Sequence, residues 1–390
     1  MMKLKIKHLI ITSSVILILL ITSCAQVELN DKVNLSPYAG IKFEFDWGQY
    51  EQPDSMILIM SRIINTRHYV QEISLNDMPE IVPDDNEEIP VTRADATTQS
   101  NKEDADGKII DGKLQIKGGE YFMLAISKPG EGVELSHLDN FADDNTIGIN
   151  DLNVSVQQRE LNEIPELAGS NDKDYIKWMD FNPNYSYVMN ISPIYMASLK
   201  NVDIKTGSDL SIKFAPKMMT QKIKIPFKVL IEEGVEITNV IAEISGVVKE
   251  VNAVSCTIDS TKTHRVIFKP QLLNAVNNTL SYEGEINVLG LFPSRQPNFI
   301  TGPGILQLAI YTQAQGKKRI FHTAKNLYAE IREAKLLTYT GEGNKYQVAK
   351  ENVTLSTDYK FKITVKQIVT DNEDGIDIWQ ENDNFIEGEL

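Results

Sequence analysis

Four histidines lie beyond residue 23, at His68, His137, His264 and His322, and no two stand at the i, i+4 or His-x-His spacing that presents a pair of imidazoles to zinc. The chain has no Gly-x-Ser-x-Gly elbow, phosphate-binding loop or dinucleotide fingerprint, which argues against the enzyme classes built on them. Carboxylates cluster at Asp143-Asp144, Glu232-Glu233 and Asp371-Asn372-Glu373-Asp374. A glycosidase needs two carboxylates held across a cleft, which adjacency in sequence does not provide. Asp371 to Asp377, with Gly375 for a turn, gathers oxygen ligands of the kind calcium takes but lacks the spacing of an EF-hand, so a turn in an acidic tail is the simpler reading. No catalytic residue, metal ligand or cofactor site is assigned. Trp47, Trp178 and Trp379 would offer flat faces to sugars if exposed, and would otherwise be core or strand-edge residues. Trp178, Tyr185 and Tyr187, close to Pro183, are the best concentrated set and form the candidate glycan contact.

The elements that must hold these side chains are strands. Ile41 to Trp47 alternates apolar and polar residues with period two, and Met56 to Met60 is a continuous apolar run that suits a strand buried on both faces. Lys113 to Ile116, then Gly118-Gly119, then Tyr121 to Ile126 reads as strand, turn, strand. Further strands are expected at 187–191, 210–214, 222–229, 235–244, 264–268, 283–291, 305–311, 319–322 and 360–365. Gln271 to Val276 is read as one or two helical turns before Asn277-Asn278, and Ala324 to Leu337 as a helix. Between Pro79 and Gly112 the chain turns polar, with Asp84, Asp85, Glu87 and Glu88 close together. That segment is either a binding loop for calcium or a partner, or a solvated hairpin insertion. Many short strands at regular spacing predict β-sandwiches, with a change of domain near Ala215-Pro216-Lys217.

The first residues concern address. Lys3, Lys5 and Lys7 precede an apolar stretch from Leu9 to Ile21, followed by Ile21-Thr22-Ser23-Cys24. The stretch is short for a membrane span, while a basic end, a short apolar run and small residues before a cut are the marks of an export signal. An aliphatic residue and two small ones ahead of cysteine resembles the lipobox of bacterial lipoproteins. That resemblance implies removal of residues 1–23 and lipidation of Cys24, a palmitate-type acyl anchor and a place on the outer membrane. Each buried methylene contributes about 0.8 kcal/mol, so more than one acyl chain gives stable anchoring. Residues 24–36 then read as a tether.

Loss of the three lysines would take the net charge from −15 to −18, which disfavours nucleic acid as a partner. Cys256 would be the only other cysteine, so stability must come from packed cores rather than a disulfide. Within Val251 to Ile258 it reads as a small buried residue of a strand, on the face of Val254 and Ile258. A mature chain from residue 24 exceeds the roughly 250 residues beyond which one core seldom grows. Two domains, 37–215 and 216–390, are therefore expected.

Ser192-Pro193-Ile194-Tyr195-Met196-Ala197-Ser198, Val202-Asp203-Ile204, Phe214-Ala215-Pro216-Lys217-Met218-Met219 and Lys222-Ile223-Lys224-Ile225 together resemble the interdomain region of fimbrillin-like lipoproteins of the Bacteroidetes. Ile244-Ser245-Gly246-Val247 and Ile376-Asp377-Ile378-Trp379 are similar to that group as well. The resemblance implies an all-β chain of two tandem transthyretin-like, Greek-key β-sandwich domains, acting as a fimbrial subunit, anchor or adhesin. Other fimbrial subunits or host and bacterial surface ligands would be its partners. Polymerising members of that group are cut after an arginine to open a groove for a donor strand; Arg62, Arg67 and Arg93 are the early candidates here, Arg93 the most accessible of them in the polar stretch. Thr354 to Trp379, with Phe361, Ile363 and Val365 on one face, reads either as a donor strand or as the last strand of its own domain. A glycan-binding lipoprotein of a nutrient-uptake system is the alternative function, and a surface hydrolase the least favoured.

Overall fold

Strand β1 (Tyr38–Asp46) shows how alternation becomes structure: Ala39, Ile41, Phe43 and Phe45 are buried on one side, while Lys42 is exposed on the other. The computed structural model of the chain describes residues 38–64, 67–75, 91–94, 107–110, 112–141, 148–159, 187–299, 301–357 and 359–369. β1 is central in the first sheet. It pairs in parallel with β13 (Asp209–Phe214) on one side and antiparallel with β6 (Lys113–Lys117) and β4 (Val91–Ala94) on the other, with β5 (Ile109–Ile110) beyond β6. The second sheet runs β14 (Lys217–Met218), β12 (Tyr195–Ile204), β7 (Gly119–Ser127), β2 (Ser55–Arg62) and β3 (Arg67–Ser74). Between these sheets Phe45 stacks on Phe214 at 5.6 Å and Trp47 meets Tyr195 edge-on at 5.8 Å, over Met56, Leu58, Met60 and Tyr121.

The remaining strands build a second sandwich and a flanking sheet. One layer is β10 (Gln158–Arg159), β11 (Tyr187–Val188), β19 (Thr263–Phe268), β16 (Glu236–Val248), β22 (Ile305–Ala314) and β23 (Lys317–Asn326). The other is β20 (Gln271–Val276), β21 (Thr279–Val288) and β15 (Gln221–Ile231), with β26 (Asn352–Thr354) and β27 (Lys360–Ile363) both parallel to β15. The flanking sheet runs β24 (Leu337–Tyr339), β25 (Lys345–Val348), β18 (Thr257–Asp259), β17 (Glu250–Asn252), β9 (Asn153–Val156) and β8 (Val133–Leu135). Among the described residues the chain is thus all-β, with the short helices α1 (Leu138–Phe141), α2 (Tyr328–Ala334) and α3 (Val365–Val369) and a 3-10 turn at Ile149–Asp151. Strand pairing crosses the expected boundary at 215/216: β9 pairs with β17 and β11 with β19, so residues of the first half complete sheets of the second.

Pro226 shows why β15 tolerates a proline. The neighbouring Lys222, Lys224 and Lys228 exchange backbone hydrogen bonds with Glu351, Leu355 and Tyr359 on the β26–β27 side. Pro226 falls where β26 has ended and β27 has not begun, so its missing N–H leaves no ladder bond unmade.

Three local expectations are corrected. Gln271 to Val276 is a strand, not helical turns, because it pairs with β21 through a two-residue turn. The expected helix at 324–337 is restricted to α2, since Ala324 to Asn326 remain in register with β22 and Lys335 turns left-handed at φ 52°. Cys256 is not in a strand: it closes a turn at φ 54°, where Asn252 Oδ1 accepts the N–H groups of Val254 and Ser255. The strand, turn, strand expected around Gly118-Gly119 is present as β6 and β7, which lie in different sheets, the first and the second. A Cβ on Gly118 would lie 2.9 Å from the Thr206 backbone nitrogen, so only glycine lets the chain turn that corner. The polar stretch from 79 to 112 also contains strands, β4 and β5.

Candidate functional site

The feature that stands out is an edge. Among the described residues β20 pairs only with β21, from Gln271 opposite Glu283 to Val276 opposite Thr279, with a one-residue shift between Leu272 and Asn274. The turn joining them is Asn277-Asn278, with φ of 48° and 60°. Two successive left-handed residues make the type I′ turn that matches the twist of paired strands, and asparagine accepts that conformation better than most residues. All six positions of β20 are exposed, with Leu272 at 52%, Leu273 at 59% and Val276 at 53%.

Edge strands usually carry charge that discourages pairing with another chain. β23 has Lys317, Lys318, Arg319 and Lys325, and β27 has Lys360 and Lys362. Among the described residues, β20 is the one edge strand of more than three residues with no charge. It offers unpaired backbone groups and apolar side chains together, which is what a strand from another molecule requires.

Of the residues singled out from sequence, Cys24, Trp178 and Tyr185 lie outside the described residues. Tyr187 is 6% exposed and its hydroxyl donates to Glu243 at 3.3 Å. A ring packed there has no free face for a sugar, which corrects the expectation for that residue. Burial, and then the nearby Glu243 carboxylate, push its pKa far above the ordinary tyrosine value. Trp47 is likewise buried, at 6%. Arg62 and Arg67 are paired in register at the turn end of the β2–β3 hairpin, and Ile63 and Ile64 next to Arg62 are exposed. Arg93 is paired opposite Glu44 in β4, so its backbone lies in a ladder rather than a loop. Phe361 and Ile363 of β27 are buried at 5% and 3% against their own domain, so this strand is seated in its own sheet.

Glu243, which sequence reasoning passed over, is fully buried and ion-paired with Arg265, itself 4% exposed. Burial raises the Glu243 pKa, and Arg265 opposes the rise. Nothing in the local pattern separates Glu243 from an outward-facing strand residue, since its pairing with Arg265 joins two strands. A cleft of about 850 Å³ lies between β12, β14 and the segment 347–352, with Cys256 in its wall. Burial raises the Cys256 thiol pKa, against a smaller opposite pull from Lys217, so the group is a poor nucleophile at neutral pH. Among the described residues, no three His, Cys, Asp or Glu side chains gather as a metal-binding group. No helix there is long and apolar enough to cross a membrane.

The sequence matches no protein-family model and no curated protein. Solved structures do match. One is a candidate adhesin from Bacteroides ovatus at 10% identity, covering 84% of this chain and 93% of that one with a TM-score of 0.45. A candidate polysaccharide-binding protein from Bacteroides thetaiotaomicron matches at 10% identity, with 84% and 92% covered and a TM-score of 0.40. The fimbrial anchor protein Mfa2 from Porphyromonas gingivalis matches at 10% identity, with 80% and 95% covered and a TM-score of 0.39.

Proposed function

We propose that this chain is a cell-surface protein of the fimbrial and adhesion type, held to the outer membrane by lipid on Cys24, and that it joins neighbouring subunits by β-strand addition. The observation that carries the proposal is β20, an uncharged six-residue edge with Leu272, Leu273 and Val276 each more than half exposed. An incoming strand would satisfy the outer backbone groups and cover these side chains, and full burial of one Leu or Val is worth about 1.5–3 kcal/mol. β27 is already engaged in its own sheet, so this chain acts at β20 as an acceptor of a strand. The role is non-catalytic.

The proposal is tested on a native membrane fraction run unboiled and boiled on a denaturing gel, with intact mass measured on the monomer. The expected result is a heat-sensitive high-mass ladder that disappears in Leu273→Lys/Val276→Lys, and a mass for a lipidated chain starting at Cys24. A single band indifferent to heat would contradict strand addition. A mass beginning after Arg62, Arg67 or Arg93 would contradict an anchor at Cys24.

A further inference from the structure

A second kind of recognition is built on the flanking sheet, away from β20. Among β9, β17, β18 and the start of β19 lies an open cleft of about 720 Å³, inside the range of about 300–1,000 Å³ typical of small-ligand sites. Its floor is fixed in advance by Asn252. The side-chain amide of that residue donates to the Asn150 and Leu152 carbonyls and to Asn153 Oδ1, while its own Oδ1 accepts from Val254 and Ser255. The turn between β17 and β18 therefore keeps its shape without a ligand.

Around this floor stand Lys249, Lys262 and Lys345, delivered from three separate strand ends. None of the three is in an ion pair among the described residues. Two carboxylates also line the cleft, Glu250 and Asp259. Asp259 is already committed: Thr261 donates to its Oδ1 through both N–H at 2.8 Å and hydroxyl at 2.7 Å. These bonds, with Lys262 and Lys345 nearby, hold its pKa below the usual carboxylate value. With His264 neutral the lining carries +1, in a chain whose total is −15. The rest of the wall is mostly amide and hydroxyl, from residues such as Asn153, Ser255, Thr257 and Thr261, with Ile258 and the His264 imidazole, and no Phe, Tyr or Trp takes part.

We propose that this cleft binds an acidic oligosaccharide, a sugar chain bearing carboxylate or sulfate groups. Lys249, Lys262 and Lys345 meet its anions, and the amides and hydroxyls of the wall meet its hydroxyl groups. Without an aromatic platform a neutral sugar has little to hold it, so charge selects the ligand. The inference does not depend on strand addition at β20, and either can fail alone.

The test is isothermal titration of the full chain with a chondroitin sulfate hexasaccharide, maltohexaose as its neutral counterpart and hexaglutamate as an acidic peptide. Lys249→Gln/Lys262→Gln/Lys345→Gln is compared with Lys318→Gln/Lys360→Gln/Lys362→Gln, which removes the same charge elsewhere. The sulfated hexasaccharide is expected to bind the parent chain and to weaken as salt rises. It should bind the cleft variant at least about tenfold more weakly, a loss of about 1.4 kcal/mol, and leave the control variant unchanged. Equal binding of maltohexaose, or an equal loss in both variants, would overturn the proposal. So would hexaglutamate binding as well as the hexasaccharide, or no binding of the hexasaccharide to the parent chain.

Discussion

Arg265 and Glu243 hold opposite charges where solvent does not reach, at 4% and 0% exposure, with the Tyr187 hydroxyl donating to the same carboxylate. Removing one member strands a buried charge, whereas replacing both removes the need for a partner. Arg265→Met is expected to cost about 3–5 kcal/mol in urea unfolding, and Glu243→Met/Arg265→Met distinctly less; equal costs would show that the pair is not coupled. His68 is a different case. It is 5% exposed, lies 4.1 Å from the Phe141 ring, and among the described residues neither ring nitrogen has a hydrogen-bond partner. Burial lowers its pKa from the ordinary value of 6.5, so the unfolded chain takes up the proton first. The stability held by neutral His68 is complete above pH 6.5 and is lost as pH falls below it. The advantage of His68→Leu over the parent chain in urea midpoint should therefore grow from pH 7 to pH 5.5, and parallel curves would contradict this.

At the scale of the element, the β20–β21 hairpin depends on two left-handed asparagines. Asn278→Gly is expected to keep the hairpin, while Asn278→Val, β-branched at φ 60°, should cost about 1–2 kcal/mol and loosen β20. Amide hydrogen exchange over 271–288 reads the difference directly. This hairpin also marks where local reading fails. Leu272, Leu273 and Val276 fall at helix-like spacing, and only the pairing with Thr279 to Glu283 makes the segment a strand. Asn277-Asn278 between two apolar runs was the signal that could have shown it. Strands with clear alternation, such as β1 and β15, were legible because one face of each is buried against a facing sheet. The partner of each strand was not. The parallel pairing of β1 with β13 spans more than 160 residues, and no local pattern encodes it.

At the scale of the whole molecule, one chain carries two kinds of surface: an uncharged edge suited to another strand, and a cleft with lysines in an otherwise acidic body. The all-β class was readable from strand spacing, and the renewed pattern after Pro216 suggested a divide at 215/216, which strand pairing crosses. Neither showed that β8 to β11 are incorporated into sheets with later strands. In the proposed reading, lipid on Cys24 would anchor the chain and β20 would receive a strand from a neighbour. The most direct measurement is photo-crosslinking in intact cells with a photoreactive residue at position 273 on β20, compared with position 318 on the lysine-rich edge β23. Strand addition predicts a discrete high-mass adduct from position 273, whose crosslinked peptide maps to an extended segment of another subunit, and none from position 318. No adduct at position 273, or equal adducts at both positions, would contradict it.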